Sequence, residues 1–223
     1  MHEIQLVIFD LAGTTVKDRG QVPRAFAAGL ADVGVTVTPA QVEGVRGASK
    51  REAIKHFIPD RPDRDGLARA AYESFCGRLA ELYRSEGVES IDGAEDTFQV
   101  LRGRGARVAL NTGFDRDITG LLVGALRWNE SVVDAIVSGD EVARGRPAPD
   151  LIVRAMERTG IADPQCVVNV GDTVLDLQAG YNARVRWNVG VLSGAHQRER
   201  LVQEPHTHLI GSVSDLPSRV LGW

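Results

Sequence analysis

The chain has 223 residues and a formal charge of −4, from 26 Lys and Arg against 30 Asp and Glu, which leaves room for one large domain, or a core with a modest insertion, and argues against a nucleic-acid or anionic-membrane partner. Small basic clusters such as 102–107 read as solvated faces. The two cysteines, Cys76 and Cys166, fall in a predicted helix and a predicted buried strand, so a disulfide framework or thiolate metal site is not expected; with no basic-then-apolar leader and no apolar run near the roughly 18 residues of a membrane span, the chain reads as cytoplasmic.

The first element is a short apolar run, Val7-Ile8-Phe9, that ends in Asp10 and leads into Leu11-Ala12-Gly13-Thr14-Thr15-Val16. An apolar run closed by an acid and a Gly-Thr-Thr turn is how a buried strand delivers one carboxylate to a loop. Ligands of open α/β sheets sit outside the carboxyl ends of the strands, which makes Asp10 the leading candidate for chemistry. The polar stretch 17–20 suits a linker. Helical spacing follows over 22–33, is interrupted by Gly34 and Thr38-Pro39, and resumes over 40–45. Ser49 and Glu52 have the spacing of a capping box, which puts Lys50 in the first turn of a helix. Residues 65–84 carry one apolar stripe, from Leu67 through Phe75 to Leu82, and read as a further helix. The whole of 17–88 is therefore expected to be helical.

From Ile91 the pattern alternates: helix 94–104, strand 107–111, helix 117–126, strand 135–138, helix 149–159, strand 166–171, helix 176–183 and strand 186–191. Strands alternating with helices imply a parallel sheet covered on both faces, and the strand before residue 16 needs those partners. The expected fold is α/β, a doubly wound parallel sheet made of residues 1–16 and 89–223 with an α-helical cap inserted over 17–88. No internal repeat or low-complexity tract interrupts it.

Three strand ends carry suggestive polar residues: Asp10 on the first, Asn111-Thr112-Gly113 on the second, and Gly171-Asp172-Thr173 with Asp176 on the fourth. Between the last two, Gly145-Arg146-Pro147-Ala148-Pro149-Asp150 holds a basic residue in a stiff turn before a helix. Acids from separate strand ends can share one hard cation such as Mg²⁺, with water and substrate phosphate completing its oxygen shell. Thr112, the amide of Gly113 and Arg146 suit phosphate oxygens. Each feature alone has a plainer reading, Asp172-Thr173 as a helix cap and Arg146 as a surface ion pair. Their shared position at successive strand ends favours the functional one.

Asp10-Leu11-Ala12-Gly13-Thr14, Asn111-Thr112-Gly113, Gly145-Arg146-Pro147-Ala148-Pro149 and Gly171-Asp172-Thr173-Val174-Leu175-Asp176 together resemble the four ordered motifs of the haloacid dehalogenase superfamily. The match spans nearly the whole chain. The Asp-x-Ala-Gly-Thr form of the first motif, and arginine where most members have lysine in the third, resemble the phosphonatase branch. The resemblance implies a Rossmann-like core and a Mg²⁺-dependent transfer of a phosphoryl group to Asp10. It also implies a metal held by Asp10, Asp172 and the Ala12 carbonyl, with Asp176 in support.

Ordinary phosphatases of the superfamily place a second aspartate two residues after the nucleophile, as a general acid and base; this chain has Ala12. Such a group is typically worth about a hundred- to ten-thousandfold in rate, so an enzyme expelling an alkoxide should not lack one. A phosphonatase can, because its leaving group is a carbon: a cap lysine forms an imine with the substrate aldehyde, and the imine accepts the electrons of the breaking carbon–phosphorus bond. Lys50, in Gly47-Ala48-Ser49-Lys50, resembles that lysine. The helix dipole and the neighbouring Arg46 and Arg51 would disfavour its ammonium form, with Glu52 opposing unless committed to the capping box. The branch carries methionine four residues before this lysine and histidine three after it. Here Arg46 and Ala53 stand there, with His56 one turn on as a candidate substitute and Arg46 as a cation suited to a more acidic substrate.

The expected protein is therefore a phosphonatase-like hydrolase of a small phosphonate or phosphorylated metabolite, with Asp10 and Lys50 catalytic and Thr112, Gly113, Arg146 and Arg46 binding. A homodimer is compatible with these features. The alternatives are a phosphomonoesterase resembling phosphoglycolate phosphatase and a low-turnover binding or regulatory protein of the same fold. His2, His196, His206 and His208 show no ligand spacing, and 206–208 reads as loop.

Overall fold

The structure, a computed structural model, describes residues 3–223; Met1 and His2 lie outside the described residues. Six parallel strands form one sheet: β1 (Leu6–Asp10), β2 (Arg107–Asn111), β3 (Ala135–Val137), β4 (Val167–Gly171), β5 (Trp187–Val191) and β6 (His208–Ile210), in the order β3-β2-β1-β4-β5-β6. The order reverses beside β1, where β2 and β4 flank it on opposite edges, so a crevice opens at the carboxyl ends of these three strands. Asp10, aligned with Asn111 of β2, stands at that point.

All five residues of β1 are buried, and alternate side chains serve the two faces of the sheet. Val7 and Phe9 join the larger core with Phe98 and Leu101 of α5 (Ala94–Gly103) and with Ile118 and Leu122 of α6 (Arg116–Ala125). Leu6 and Ile8 join the smaller core with Leu151, Ile152 and Ala155 of α7 (Asp150–Thr159) and Ala179 of α8 (Val174–Asn182). A strand sandwiched this way has no need of polar alternation, which is why β1 reads in the sequence as an unbroken apolar run up to Asp10.

Four helices separate β1 from α5: α1 (Gln21–Ala31), α2 (Pro39–Gly44), α3 (Lys50–Phe57) and α4 (Arg64–Glu86). They form the helical cap, with Phe26 of α1 meeting Phe75 of α4 edge-on at 6.2 Å between ring centres. The chain runs into and out of this region side by side: the Lys17 N–H donates to the Glu89 carbonyl at 2.9 Å and that of Ile91 to Thr15 at 2.8 Å. No helix among the described residues is long and apolar enough to cross a membrane.

The structure departs from expectation at several places. His208 opens a strand rather than lying in a loop, because β5 supplies its backbone partner. The short helix α9 (Arg198–Leu201), the 3-10 turns at Gly139–Glu141, Pro164–Cys166 and Val213–Asp215, and the π-helical turn Pro217–Leu221 were not anticipated. Ser49 accepts from the Glu52 N–H at 3.5 Å, but no reciprocal bond from Glu52 completes the box, and Glu52 is exposed.

Candidate active site

Asp10 is set in place by its own turn: the Thr15 hydroxyl donates to the Asp10 carbonyl at 2.8 Å, and the N–H groups of Thr15 and Val16 return to Leu11 at 2.9 and 2.8 Å. The bridge between Ala12 and Val16 runs through the Leu11 carbonyl and the Gly13 N–H, leaving the Ala12 carbonyl outside it. Gly13, at φ 95°, lets this loop press on β4's acid: a Cβ there would lie 2.4 Å from an Asp172 oxygen.

Asp172 is wholly buried and takes the Thr14 hydroxyl at 3.0 Å on one oxygen and the Ala195 N–H at 2.6 Å on the other. Arg146, carried on the turn before α7 and followed by a cis peptide bond to Pro147, bridges two acids: Nη2 lies 2.8 Å from Asp10 Oδ1 and Nε 2.9 Å from Asp176 Oδ1. Its Nη2 also donates to the Asn111 side chain. One guanidinium thus faces three buried carboxylates, Asp10, Asp172 and Asp176. Burial and mutual repulsion push the Asp10 and Asp172 acids up, Arg146 opposing at Asp10 and the bonds from Ala195 and Thr14 opposing at Asp172.

The cap closes the other side. Lys50 is only 8% exposed; its Nζ donates to the Ala48 carbonyl at 2.9 Å and lies 5.7 Å from the centre of the Phe114 ring. Burial first, then the charges of Arg46 and Arg146, bring its pKa down to about 8 against the pull of Asp10 and Asp18. Arg51, expected to add to this, turns instead to Asp115 at 3.1 Å. The Gly47 backbone sits on core residue Thr173, at φ 82°, where a Cβ would come within 2.3 Å of the Thr173 hydroxyl; a Cβ on Gly113 would come within 2.9 Å of the Ala48 carbonyl. The loop bearing Lys50 is thereby pressed against the carboxyl ends of β2 and β4.

One pocket of roughly 400 Å³, its open mouth included, gathers Asp10, Ala12, Arg46, Lys50, Thr112, Gly113, Arg146 and Asp172 from five separate parts of the sequence. Asp176 does not line it. Its oxygens are taken by Arg146 and by the Thr173 N–H at 3.0 Å, so it acts behind Arg146. The Thr112 oxygen accepts the Phe114 N–H at 3.1 Å, which leaves its hydroxyl proton for a ligand. His56 is a correction: it is exposed, stacked edge-on against Phe57 at 5.2 Å, and reaches no part of the pocket. The pocket also takes in Thr173 of the fourth motif, and Asp18, Val22, Phe114 and Ala195, which sequence reasoning missed. Asp18 had a signal, an acid just before a helix, but 17–20 read as linker.

Among the described residues no three His, Cys, Asp or Glu side chains converge as a metal cluster. Two carboxylates and a backbone carbonyl are a different donor set, all oxygen, and they suit a hard divalent ion that keeps its remaining waters. Burial and mutual repulsion raise the pKa values of these acids, and a bound divalent cation would offset both, so Asp10, Asp172 and the Ala12 carbonyl fit Mg²⁺.

The family profile of haloacid dehalogenase-like hydrolases matches residues 4–184. A phosphonoacetaldehyde hydrolase of Bacteroides fragilis is 28% identical over 232 residues, covering 99% of this chain and 87% of that protein. One of Bordetella avium is 30% identical over 253 residues, covering 96% and 89%. The crystal structure of a phosphonoacetaldehyde hydrolase-like protein from Oleispira antarctica superposes with a TM-score of 0.85 at 22% identity, covering 98% of this chain and 92% of that one.

Proposed function

The chain belongs to the haloacid dehalogenase-like hydrolases, and from that premise we propose that it is a Mg²⁺-dependent hydrolase of the phosphonatase type, cleaving the carbon–phosphorus bond of a small phosphonate that bears a carbonyl group. The observation that carries this reading is the placement of a buried lysine amine, with its pKa brought down to about 8, in the same pocket as Asp10, where position 12 offers no acid. Asp10, Asp172 and the Ala12 carbonyl would hold Mg²⁺, which would supply charge neutralisation for phosphoryl transfer.

The steps then belong to the chain's own groups. Neutral Lys50 attacks the substrate carbonyl and, with uptake of one proton from solvent and loss of water, forms a protonated imine; that proton is returned when Lys50 is freed. Arg146, Thr112 and the Gly113 N–H hold the phosphonate oxygens, and Asp10 attacks phosphorus. The carbon–phosphorus electrons pass into the imine as an enamine, so no acid at position 12 is required. Water releases phosphate from Asp10, and protonation and hydrolysis of the enamine free Lys50. The apolar walls Val22 and Phe114 limit stray water around the imine.

Incubation with phosphonoacetaldehyde and borohydride is expected to add the mass of the reduced adduct to Lys50, and Lys50→Arg, which keeps the charge but cannot form the imine, is expected to lose both adduct and phosphate release. Phosphate release that persists in Lys50→Arg would reject the imine. The exposure of His56 favours a second reading, a phosphomonoesterase in which Lys50 and Arg46 bind the substrate as cations, because no imidazole of α3 stands beside Lys50 to carry protons. Turnover of small phosphate esters without an aldehyde requirement would select it.

A further inference from the structure

Arg46 has no task in the chemistry just proposed, yet it is built into the pocket with care. Its Nη2 lies 2.9 Å from Asp18 Oδ2, with the two side chains 16% and 4% exposed. The other oxygen of Asp18 accepts the Gly20 N–H at 3.0 Å and the Val22 N–H at 3.4 Å, which ties the acid to the first turn of α1. Asp18 therefore serves as a fixed mount that orients the guanidinium through one nitrogen. Among the described residues Arg46 forms no other side-chain hydrogen bond, so its remaining N–H donors are left for a ligand.

Arg46 and Lys50 both line the pocket from the cap, four positions apart across the Gly47 turn. Arg46 stands close enough to be, after burial, the largest influence lowering the basicity of the Lys50 amine. The phosphoryl end of the pocket already has Arg146, Thr112 and Gly113. A planar guanidinium held at the lysine end, in partly apolar surroundings, matches a carboxylate and finds nothing to meet on an unsubstituted aldehyde.

We infer that the substrate carries a carboxylate on the very carbonyl carbon that Lys50 attacks, making it a 2-oxo acid with the phosphonate on carbon 3, and that Arg46 is the residue that selects it. This rests on the imine reading above. Lys50 condenses with the C2 ketone and water leaves; the bond from C3 to phosphorus breaks with its electrons entering the iminium, while phosphorus passes to Asp10. One water then takes phosphate from Asp10, the enamine gains a proton at C3, and the water lost at condensation is returned to free Lys50. The net reaction is oxo acid plus water to phosphate plus 2-oxopropanoate.

The test compares kcat/KM for 3-phosphonopyruvate and for phosphonoacetaldehyde, with Mg²⁺ present, in the wild type, in Arg46→Met and in Arg46→Lys. Because Arg46→Met strands buried Asp18, the pair Asp18→Asn with Arg46→Met is measured beside it; asparagine retains an oxygen for the Gly20 and Val22 amides. The wild type is expected to prefer the oxo acid. The ratio of the two kcat/KM values is expected to fall by about 10- to 100-fold in both methionine variants, the range of a lost charged hydrogen bond, and by less in Arg46→Lys. Borohydride adducts at Lys50 are read separately. An adduct and phosphate from the aldehyde but not from the oxo acid, or a ratio unchanged within twofold by removal of Arg46, overturns the carboxylate inference and leaves the imine reading standing. No adduct and no phosphate from either compound overturns the imine reading, and the inference falls with it.

Discussion

On the floor of the pocket, Asp10, Asp172 and Arg146 are almost fully buried; Arg146 ties Asp10 to Asp176, and Asp172 is held by the Thr14 hydroxyl and the Ala195 N–H. On the lid, Lys50 has one hydrogen bond to its own loop, Arg46 hangs from Asp18, and outer contacts of the cap include Arg51, largely exposed, on Asp115 and Glu43 with Arg200. A floor residue removed leaves opposite charges buried and unpaired, so its partners fail with it. A change on the lid reaches fewer partners: the Ala48 carbonyl at Lys50, and Asp18 at Arg46. In the mechanism proposed above, phosphoryl transfer falls on the strand ends, where many substrates would be treated alike, and the choice of substrate falls on α3 and the loop before it.

The comparison breaks most visibly at Asp10. Asp10→Asn is expected to cut phosphate release from every substrate by about 10⁴-fold or more, as loss of a nucleophile does; a colorimetric phosphate assay that finds a tenth of the activity left would move the nucleophile elsewhere. A lid property comes next. With its pKa near 8, against 10.5 for an ordinary lysine, roughly a tenth of Lys50 is neutral at pH 7, where an unperturbed lysine would have fewer than about one in a thousand. The sign follows from the amine being the reactive form, in a surrounding of Arg46, Arg146, Asp10 and Asp18. The rate of borohydride trapping is expected to climb nearly tenfold per pH unit from 6 to 7.5 and to level above 8. A rise still continuing at pH 10 would show an unperturbed amine.

Smaller effects belong to the seam between the two regions. Asp115 receives Arg51 at 3.1 Å and the Tyr72 hydroxyl on the same oxygen, so Asp115→Ala is expected to lower stability by about 1–3 kcal/mol through the stranded Tyr72 donor, seen as a melting temperature several degrees lower. An unchanged melting curve would mean the seam contributes nothing. The smallest effect is expected at Glu52, whose carboxylate does not return to the Ser49 backbone. Glu52→Gln should alter stability by no more than about 0.5 kcal/mol in chemical denaturation, and a larger loss would restore the full capping box.

Local pattern carried most of the architecture. Buried parallel strands announce themselves as apolar runs, helices as spaced stripes, and the motifs kept their order, so the parallel sheet, its helical insertion, the presence of Asp10, Thr112 and Asp172 at strand ends and that of Arg146 in the turn before a helix were all legible in the amino acids. What stayed hidden depended on partners distant in the chain. β6 is three residues long and exists because β5 offers it a ladder. Asp18 reads as a linker acid until Arg46 arrives from 28 positions away to meet it. His56 shares a helix with Lys50, but the end of α3 turns it toward solvent, and which arc of a helix faces a pocket is settled by what packs against it. The identities of the chemical groups were thus set by the sequence, while tertiary structure alone decided which of them share one low-dielectric space, because burial and long-range charge are properties of the assembled surroundings and not of any stretch of chain.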